Sequence, residues 1–218
     1  MSQNRSSAVM QQRSEPNDSL DDFPTPPWAT RALCEWLDKD LSVNNLIVRE
    51  PAANRGHMVR ALAEYFNSVE ASDVHDYGVG YPVADYLWGP TPAPVDWTIT
   101  NPPFRLAEQF IQRAMQSSTD GVAVIVRSAF LEGKSRFENL FSVTPPSYVL
   151  QFVERAPMCK GKIDPKVSSA TAYSWLVWFK NDEQPTDTRL RWIAPCRKRL
   201  ERESDYNSDI FIGVNNNG

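Results

Sequence analysis

The stretch Asn101-Pro102-Pro103-Phe104 constrains this chain more than any other. It follows residues 95–99, a short apolar run that predicts a buried strand. It precedes residues 105–115, in which apolar side chains recur at helical spacing. The four residues should therefore form the turn from a strand into a helix, which is where open α/β sheets bind their ligands.

The two prolines determine what this turn can do chemically. Each lacks a backbone N–H and has a fixed φ, and Asn101 and Pro102, each followed by proline, are pushed to extended geometry. The Asn101 amide oxygen and the Pro102 carbonyl can then accept two hydrogens from one amino group. Phe104 offers a ring face on which a flat base can stack. Taken alone, the stretch is equally consistent with a strand end followed by a stiff turn.

Composition limits the class of protein. At 218 residues the chain fits one domain with a sizeable core, and its 17 prolines indicate many loops. A net charge of −4 argues against coating nucleic acid by charge alone, so any such contact must be local. The three scattered cysteines suggest reduced thiols, and no Cys/His group has the spacing of metal ligands. Without a signal peptide or an apolar span, we expect a cytoplasmic, metal-free globular protein.

Only the middle of the chain has the pattern of a folded domain. Residues 1–22 are polar without an apolar period, and we expect a disordered tail there. Residues 23–200 should form the domain and residues 201–218 a flexible C-terminal tail. Apolar runs predict strands at residues 45–49, 68–72, 95–99, 121–127, 147–153 and 172–179.

Several stretches before the Asn-Pro-Pro-Phe motif could bind a small molecule. Thr25 and Pro26 suggest the N-cap and first residue of a helix, whose free N–H groups could hold a carboxylate. Residues 50–56 form a turn of small residues after the first strand, where Gly56 lets the backbone approach a ligand. Asp73, at the end of the second strand, could accept two ribose hydroxyls. A capped helix, a tight turn and a solvated aspartate are the ordinary structural alternatives.

A second group of polar residues lies between the last two predicted strands. Residues 154–171 place Arg155, Lys160 and Lys162 in a loop near the expected site. This loop could contact a phosphate backbone or the target base, or it could be a solvated loop without a partner. The isolated His57 and His75 are expected at the surface or in turns.

Together these motifs resemble the S-adenosylmethionine-dependent amino methyltransferases, most closely the phage and prophage DNA adenine methyltransferases. The resemblance covers roughly residues 23–180, and Asn-Pro-Pro-Phe is its most specific element. It implies a Rossmann-like α/β fold, in which a seven-stranded, mostly parallel sheet carries helices on both faces. The switch from βα alternation to two adjacent strands at residues 147–153 and 172–179 supports a final antiparallel pair.

The resemblance also implies roles for individual residues. Asn101, Pro102, Pro103 and Phe104 would form the catalytic motif, with Asn101 also beside the cofactor. The S-adenosylmethionine site would comprise Thr25, Pro26, Glu50, Ala52, Asn54, Gly56, Asp73 and Asp85, the last of these at the adenine. Asn54 stands where the family often has glycine, and asparagine tolerates left-handed backbone well. No segment is long enough for a separate target-recognition domain, which implies a short or loose target site.

The implied reaction is methyl transfer to the exocyclic amine of adenine in DNA. The substrate-binding residues would be Phe104, Arg155, Lys160 and Lys162. Two alternatives stay open. The same motif methylates adenine in RNA and glutamine amides in protein, and the pI of about 5.3 favours a protein partner whereas the basic loop favours nucleic acid. A methyltransferase fold without activity, used as a binding module, is the second alternative, although the intact motif argues against it.

Overall fold

The computed structural model describes residues 21–167, 169–181 and 187–206. Residues 1–20 of the predicted N-terminal tail and residues 207–218 of the predicted C-terminal tail lie outside these ranges. Asp21, Asp22 and residues 201–206 make defined contacts with the domain, as shown below. These positions, which the two predicted tails included, therefore contact the domain, and the rest of both tail predictions lies outside the described residues.

A seven-stranded sheet forms the centre of the described chain. Its strands are β1 Ile47–Glu50, β2 Ser68–Ala71, β3 Val95–Thr100, β4 Ser118–Arg127, β5 Tyr148–Phe152, β6 Tyr173–Phe179 and β7 Arg189–Ile193. Their order in space is β2-β1-β3-β4-β6-β5-β7. Strand β6 is antiparallel to its neighbours β4 and β5, and the other pairs are parallel. The predicted α/β sheet, mostly parallel with an antiparallel final pair of predicted strands, is confirmed.

Helices cover both faces of the sheet because its central strands are apolar on both sides. The helices are α1 Pro27–Leu37, α2 His57–Leu62, α3 Ala107–Ser117, α4 Lys134–Arg136 and α5 Arg197–Leu200. Short 3₁₀ turns lie at Val43–Asn45, Ser128–Leu131 and Glu203–Tyr206, and a π turn at Phe137–Phe141. Along β4, Val122 and Val124 pack with α3, whereas Ala123 and Ile125 pack with α1 and α2. Within the described ranges, no helix has the length and apolarity needed to cross a bilayer.

All six predicted strands are present, with ends within three residues of the predicted ones. The seventh, β7, was not predicted. Its Arg-Leu-Arg-Trp pattern alternates, but both sides are exposed because β7 lies at the edge of the sheet. Its apolar residues, Leu190 and Trp192, alternate with arginines instead of forming the continuous apolar run by which the other strands were predicted.

Helix α1 begins one residue later than predicted. Pro26 is the N-cap and Pro27 the first helical residue, and no side chain caps the helix. The reason is the second proline, since Pro27 excludes helical geometry from the residue before it. Thr25 therefore lies outside the helix, and its hydroxyl is buried without a hydrogen-bond partner.

A buried ion pair fixes the end of the described chain against α1. The Arg31 guanidinium donates to both carboxylate oxygens of Asp205, at 2.8 and 2.7 Å, and to the Leu200 carbonyl at 2.7 Å. It also donates to Glu64, with its Nε 2.9 Å from Oε2. Because Arg31 is only 3% exposed, these partners must compensate the free-energy cost of burying its charge.

Replacing Asp205 with alanine should destabilise the protein by about 3 kcal/mol, the low end for breaking a buried pair, because Glu64 still neutralises Arg31. Urea unfolding followed by circular dichroism measures this loss. Glu203→Ala, an exposed carboxylate in the same turn, is the control and should change stability by less than about 0.5 kcal/mol. Equal stability of the two variants would contradict the structural role of the pair.

Candidate functional site

A cleft opens at the carboxyl ends of β1, β2 and β3. Eight of the predicted site residues line it, namely Thr25, Glu50, Ala52, Asn54, Asp73, Asp85, Asn101 and Pro103. Pro26, Gly56, Pro102 and Phe104 lie in the same loops but do not line the cleft. The sequence motifs thus converge on one place, although they are spread over 79 residues from Thr25 to Pro103.

The side chain of Glu50, the last residue of β1, hydrogen-bonds to two of these loops. Its Oε1 accepts from the Ala52 amide at 2.9 Å and from the Thr100 hydroxyl at 2.5 Å. The backbone N–H of Asn101 also donates a hydrogen bond to this carboxyl group. Burial raises the pKa of Glu50 to about 8, and the remaining oxygen, Oε2, has no hydrogen-bond partner. Glu50 therefore couples the loop after β1 to the end of β3 and leaves one buried oxygen without a hydrogen-bond partner.

The loop after β1 needs two residues with left-handed backbone. Asn54 has φ 51° and Gly56 has φ 76°, so the expectation that asparagine could replace glycine in this loop is confirmed for the backbone. A Cβ on Gly56 would lie 2.4 Å from the Tyr81 hydroxyl, which explains why glycine is needed there. The loop is tied to β2 through Asp73, whose Oδ2 accepts from the Asn54 amide at 2.8 Å.

The amide of Asn101 has a defined orientation. Its Nδ2 donates to the Phe23 carbonyl at 2.8 Å and contacts the Met158 sulfur at 3.9 Å. A carbonyl can only accept, so the nitrogen must face Phe23. The Asn101 oxygen is thereby left as the group that can accept hydrogens in the cleft.

Three consecutive residues, Asp21, Asp22 and Phe23, form a strap across the mouth of the site. The Asp21 carboxylate accepts from the Phe104 amide at 2.5 Å. Asp22 accepts from Asn54 Nδ2 at 2.7 Å and forms an ion pair with Arg55 at 2.9 Å. This strap connects the Asn101–Phe104 motif with the loop after β1, and its first two residues were predicted to lie in a disordered tail.

The basic loop lies at the rim of the cleft, as expected from its sequence. Its Gly161 amide donates to the Asp22 carbonyl at 2.8 Å, and its Met158 side chain contacts Asn101. Arg155, Lys160 and Lys162 are exposed. Lys162 pairs with Asp164 at 3.0 Å, an exposed pair that water and salt screen strongly.

The predicted residues do not account for the whole lining. Phe23, His57, Met58, Val74, Tyr77 and Tyr86 also line the cleft. His57 was expected at the surface or in a turn; it directly follows the turn at Gly56 but is buried at the start of α2, and burial lowers its pKa to about 3. Tyr77 packs under the Arg55 guanidinium, 4.8 Å from the ring centroid. Of these residues, only His57 could have been predicted from the sequence. It directly follows Gly56, so the predicted loop places it next to the site.

The aromatic side of the site lies next to the cleft. The rings of Phe23 and Phe104 have centroids 5.6 Å apart and are tilted by 39°. The Arg127 guanidinium, at the end of β4, lies over the Phe104 ring with its central carbon 4.2 Å from the centroid. A flat group that reaches Asn101 would therefore meet aromatic and cationic surfaces at once.

No family model and no curated protein sequence matches the chain. Solved structures share its fold. The modification subunit of a putative type I restriction enzyme from Vibrio vulnificus aligns over 94% of this chain and 54% of its own, at 16% identity and TM-score 0.56. A putative RNA methyltransferase from Pyrococcus horikoshii aligns over 78% of this chain and 93% of its own, at 17% identity and TM-score 0.58.

Magnesium protoporphyrin IX methyltransferase from Synechocystis, solved with bound S-adenosylmethionine, aligns over 70% of this chain and 79% of its own, at 13% identity and TM-score 0.50. This chain thus spans about half the length of the Vibrio subunit and most of the other two. The likenesses show that the chain has the class I methyltransferase fold.

The buried Glu50 carboxyl predicts a specific pH dependence of stability. Its pKa is about 8 in the folded protein and ordinarily 4.5, so between these values the unfolded chain ionises while the folded protein holds the proton. Stability should therefore fall as pH rises through this window and level off above it. Glu50→Gln, which imitates the protonated form, removes this contribution.

The measurement is chemical unfolding of both proteins at pH 5, 6.5 and 8.5. The variant should gain stability relative to wild type as the pH rises, because only the wild type must bury a carboxyl group that water would ionise. A difference that stays constant across the three pH values would show that Glu50 is not buried in its neutral form.

Proposed function

We propose that this protein is an S-adenosylmethionine-dependent methyltransferase that modifies the exocyclic amine of adenine in DNA, similar to the phage and prophage enzymes. The observation that carries the proposal is the oriented Asn101 amide. Its nitrogen is held by the Phe23 carbonyl, so its oxygen is left as the acceptor in the cleft. The backbone carbonyl of Pro102, the next residue in the chain, would be the second acceptor. Two fixed acceptors next to each other fit an amino group with two hydrogens.

The described residues fit the cofactor. Two buried side-chain oxygens without partners, Glu50 Oε2 and Thr25 Oγ1, lie in the lining of the cleft. They suit the amino and carboxylate groups of the methionine end, while Asp73 suits the ribose hydroxyls and Asp85 the adenine. When bound, the cofactor would supply an electrophilic methyl group.

The protein's own residues would position the target. Asn101 and Pro102 would draw both hydrogens of the target amine to one side, so that its lone pair points away from them. Neither group takes a proton, and the amine can lose its proton to solvent after methyl transfer. The reaction therefore needs no general base. His57, in the lining of the cleft, is a weak one, because burial lowers its pKa to about 3.

The choice of DNA rests on the rim of the site and on the fold neighbours. The basic loop is attached to the strap at Gly161, so a polymer bound there would run past Asn101. The neighbours include a modification subunit of a restriction enzyme and an RNA methyltransferase, which supports nucleic acid as the substrate class. Adenine in RNA is the second candidate, and a protein glutamine amide would use the same two acceptors.

Asn101→Ala should lower turnover by roughly 10²–10³, the cost of losing one preorganised hydrogen-bonding group in an active site. The test is single-turnover methylation of DNA with labelled cofactor. Cofactor affinity, measured by calorimetry, should change little because the amide oxygen is directed at the target. Asn139→Ala, an exposed asparagine outside the site, is the control.

An Asn101→Ala protein that methylates at the wild-type rate would refute the catalytic role of the motif. Parallel reactions with RNA and with total protein, followed by mass spectrometry of the products, identify the substrate class. A protein that binds the cofactor but labels none of the three would be a binding module instead.

Neutralising Lys160 and Lys162 together should weaken DNA binding and reduce its salt dependence. Each phosphate contact contributes close to one unit to the slope of log affinity against log salt, so the slope should fall by nearly two. Fluorescence anisotropy at four salt concentrations provides the slope. Lys39 and Lys180, exposed lysines at the opposite ends of the strands, form the matched control pair. If both double variants keep the wild-type slope, this loop does not bind the backbone.

A further inference from the structure

Arg127 stands where a stacked base would have to lie. Its guanidinium carbon is 4.2 Å from the centroid of the Phe104 ring and 6.0 Å from that of Phe23. On the Phe23 side, the two rings are already in tilted contact at 5.6 Å. A base could therefore reach the face of the Phe104 ring that Arg127 covers if only the Arg127 side chain moved away.

The position of Arg127 in the fold allows this movement. It is the last residue of β4, directly opposite Tyr173 of β6, and it hydrogen-bonds the Tyr173 side chain. The backbone is thus fixed by the sheet, while the side chain is exposed and long. Only the guanidinium needs to move.

From this geometry we infer that Arg127 is a substrate-binding residue, whose guanidinium forms the second wall of the target-base site opposite Phe104. A base inserted between them requires a separation of about 7 Å, twice the ~3.5 Å contact distance of stacked atoms. Arg127 must therefore rise by about 3 Å. Guanidinium planes and aromatic rings are both surfaces on which unstacked bases pack.

The inference rests on the proposed function and narrows its substrate. A flat ring system fills the space between two parallel planes, whereas the narrow amide of a glutamine side chain leaves most of both planes uncovered. A site with walls of Phe104 and Arg127 therefore selects a nucleobase. It also explains how a site with few lysines can hold a base after it has left the helix, since stacking needs no phosphate contact.

The test is single-turnover methylation at increasing concentrations of a DNA duplex, comparing wild type with Arg127→Ala and Arg127→Lys. Arg127→Ala should lower the second-order rate constant by about 5- to 30-fold, the range of a desolvated cation–π contact. Arg127→Lys should recover little of this loss, because lysine keeps the charge but not the plane. The salt slope of binding should stay at the wild-type value.

Arg189→Ala is the matched control. Arg189 is also an exposed arginine near an aromatic ring, 5.3 Å from the Tyr148 centroid, but it lies at the amino ends of the strands. This variant should methylate at the wild-type rate. Combining Arg127→Ala with Phe104→Ala should cost less than the product of the single losses, since each wall acts only with the other in place.

Three outcomes would overturn the inference. The first is a wild-type rate for Arg127→Ala, and the second is a loss in the double variant equal to the product of the two single losses. The third is a wild-type rate for Arg127→Lys together with a salt slope for Arg127→Ala that is lower by about one, which would identify a phosphate contact. A wild-type protein that methylates neither DNA nor RNA would instead refute the proposed function, and the base site with it. Cofactor titration of each variant confirms that the fold and the cofactor cleft are intact.

Discussion

The buried carboxyl of Glu50 is the contact on which the rest of the site depends. One of its oxygens receives hydrogen bonds from the loop after β1 and from the end of β3, two segments 50 residues apart at Glu50 and Thr100. Because the group is neutral at most working pH values, it can be buried without a counter-charge. The sheet places two loops side by side, and Glu50 fixes how far apart they stand.

The strap formed by Asp21, Asp22 and Phe23 closes the same arrangement from above. Through backbone and carboxylate groups it reaches the loop after β1, the Asn101 motif and the basic loop at Gly161. An amide can rotate to exchange its oxygen and nitrogen, and only a neighbour that accepts but never donates keeps the oxygen facing the cleft. The Phe23 carbonyl is such a neighbour, so the orientation of the Asn101 amide depends on a segment nearly eighty residues earlier in the chain.

The sequence was sufficient for the sheet and for the motifs, because both depend on local pattern. Six strands were visible as apolar runs, and the left-handed backbone at Asn54 followed from the residue type. What it missed depends on contacts distant in the chain. Edge strand β7 has no buried face, and Asp21 and Asp22 belong by composition to a polar tail. Arg127 was hidden for a similar reason, since only the pairing of β3 with β4 brings the end of β4 next to the turn that carries Phe104.

The acidic composition and a nucleic-acid substrate are compatible once the positions of the cations are considered. Some cations are already occupied within the fold: Arg31 is buried against Asp205 and Glu64, and Arg199 forms an exposed ion pair with Glu35. The cations around the cleft, in contrast, come from exposed positions in the basic loop and at the end of β4. Because so few cations could contact phosphates, binding would release only a few counterions, and the electrostatic part of the affinity for a nucleic-acid backbone would be modest. Under the proposed function, recognition would then have to come from the base itself, through the contacts inferred for Phe104 and Arg127 rather than through net charge.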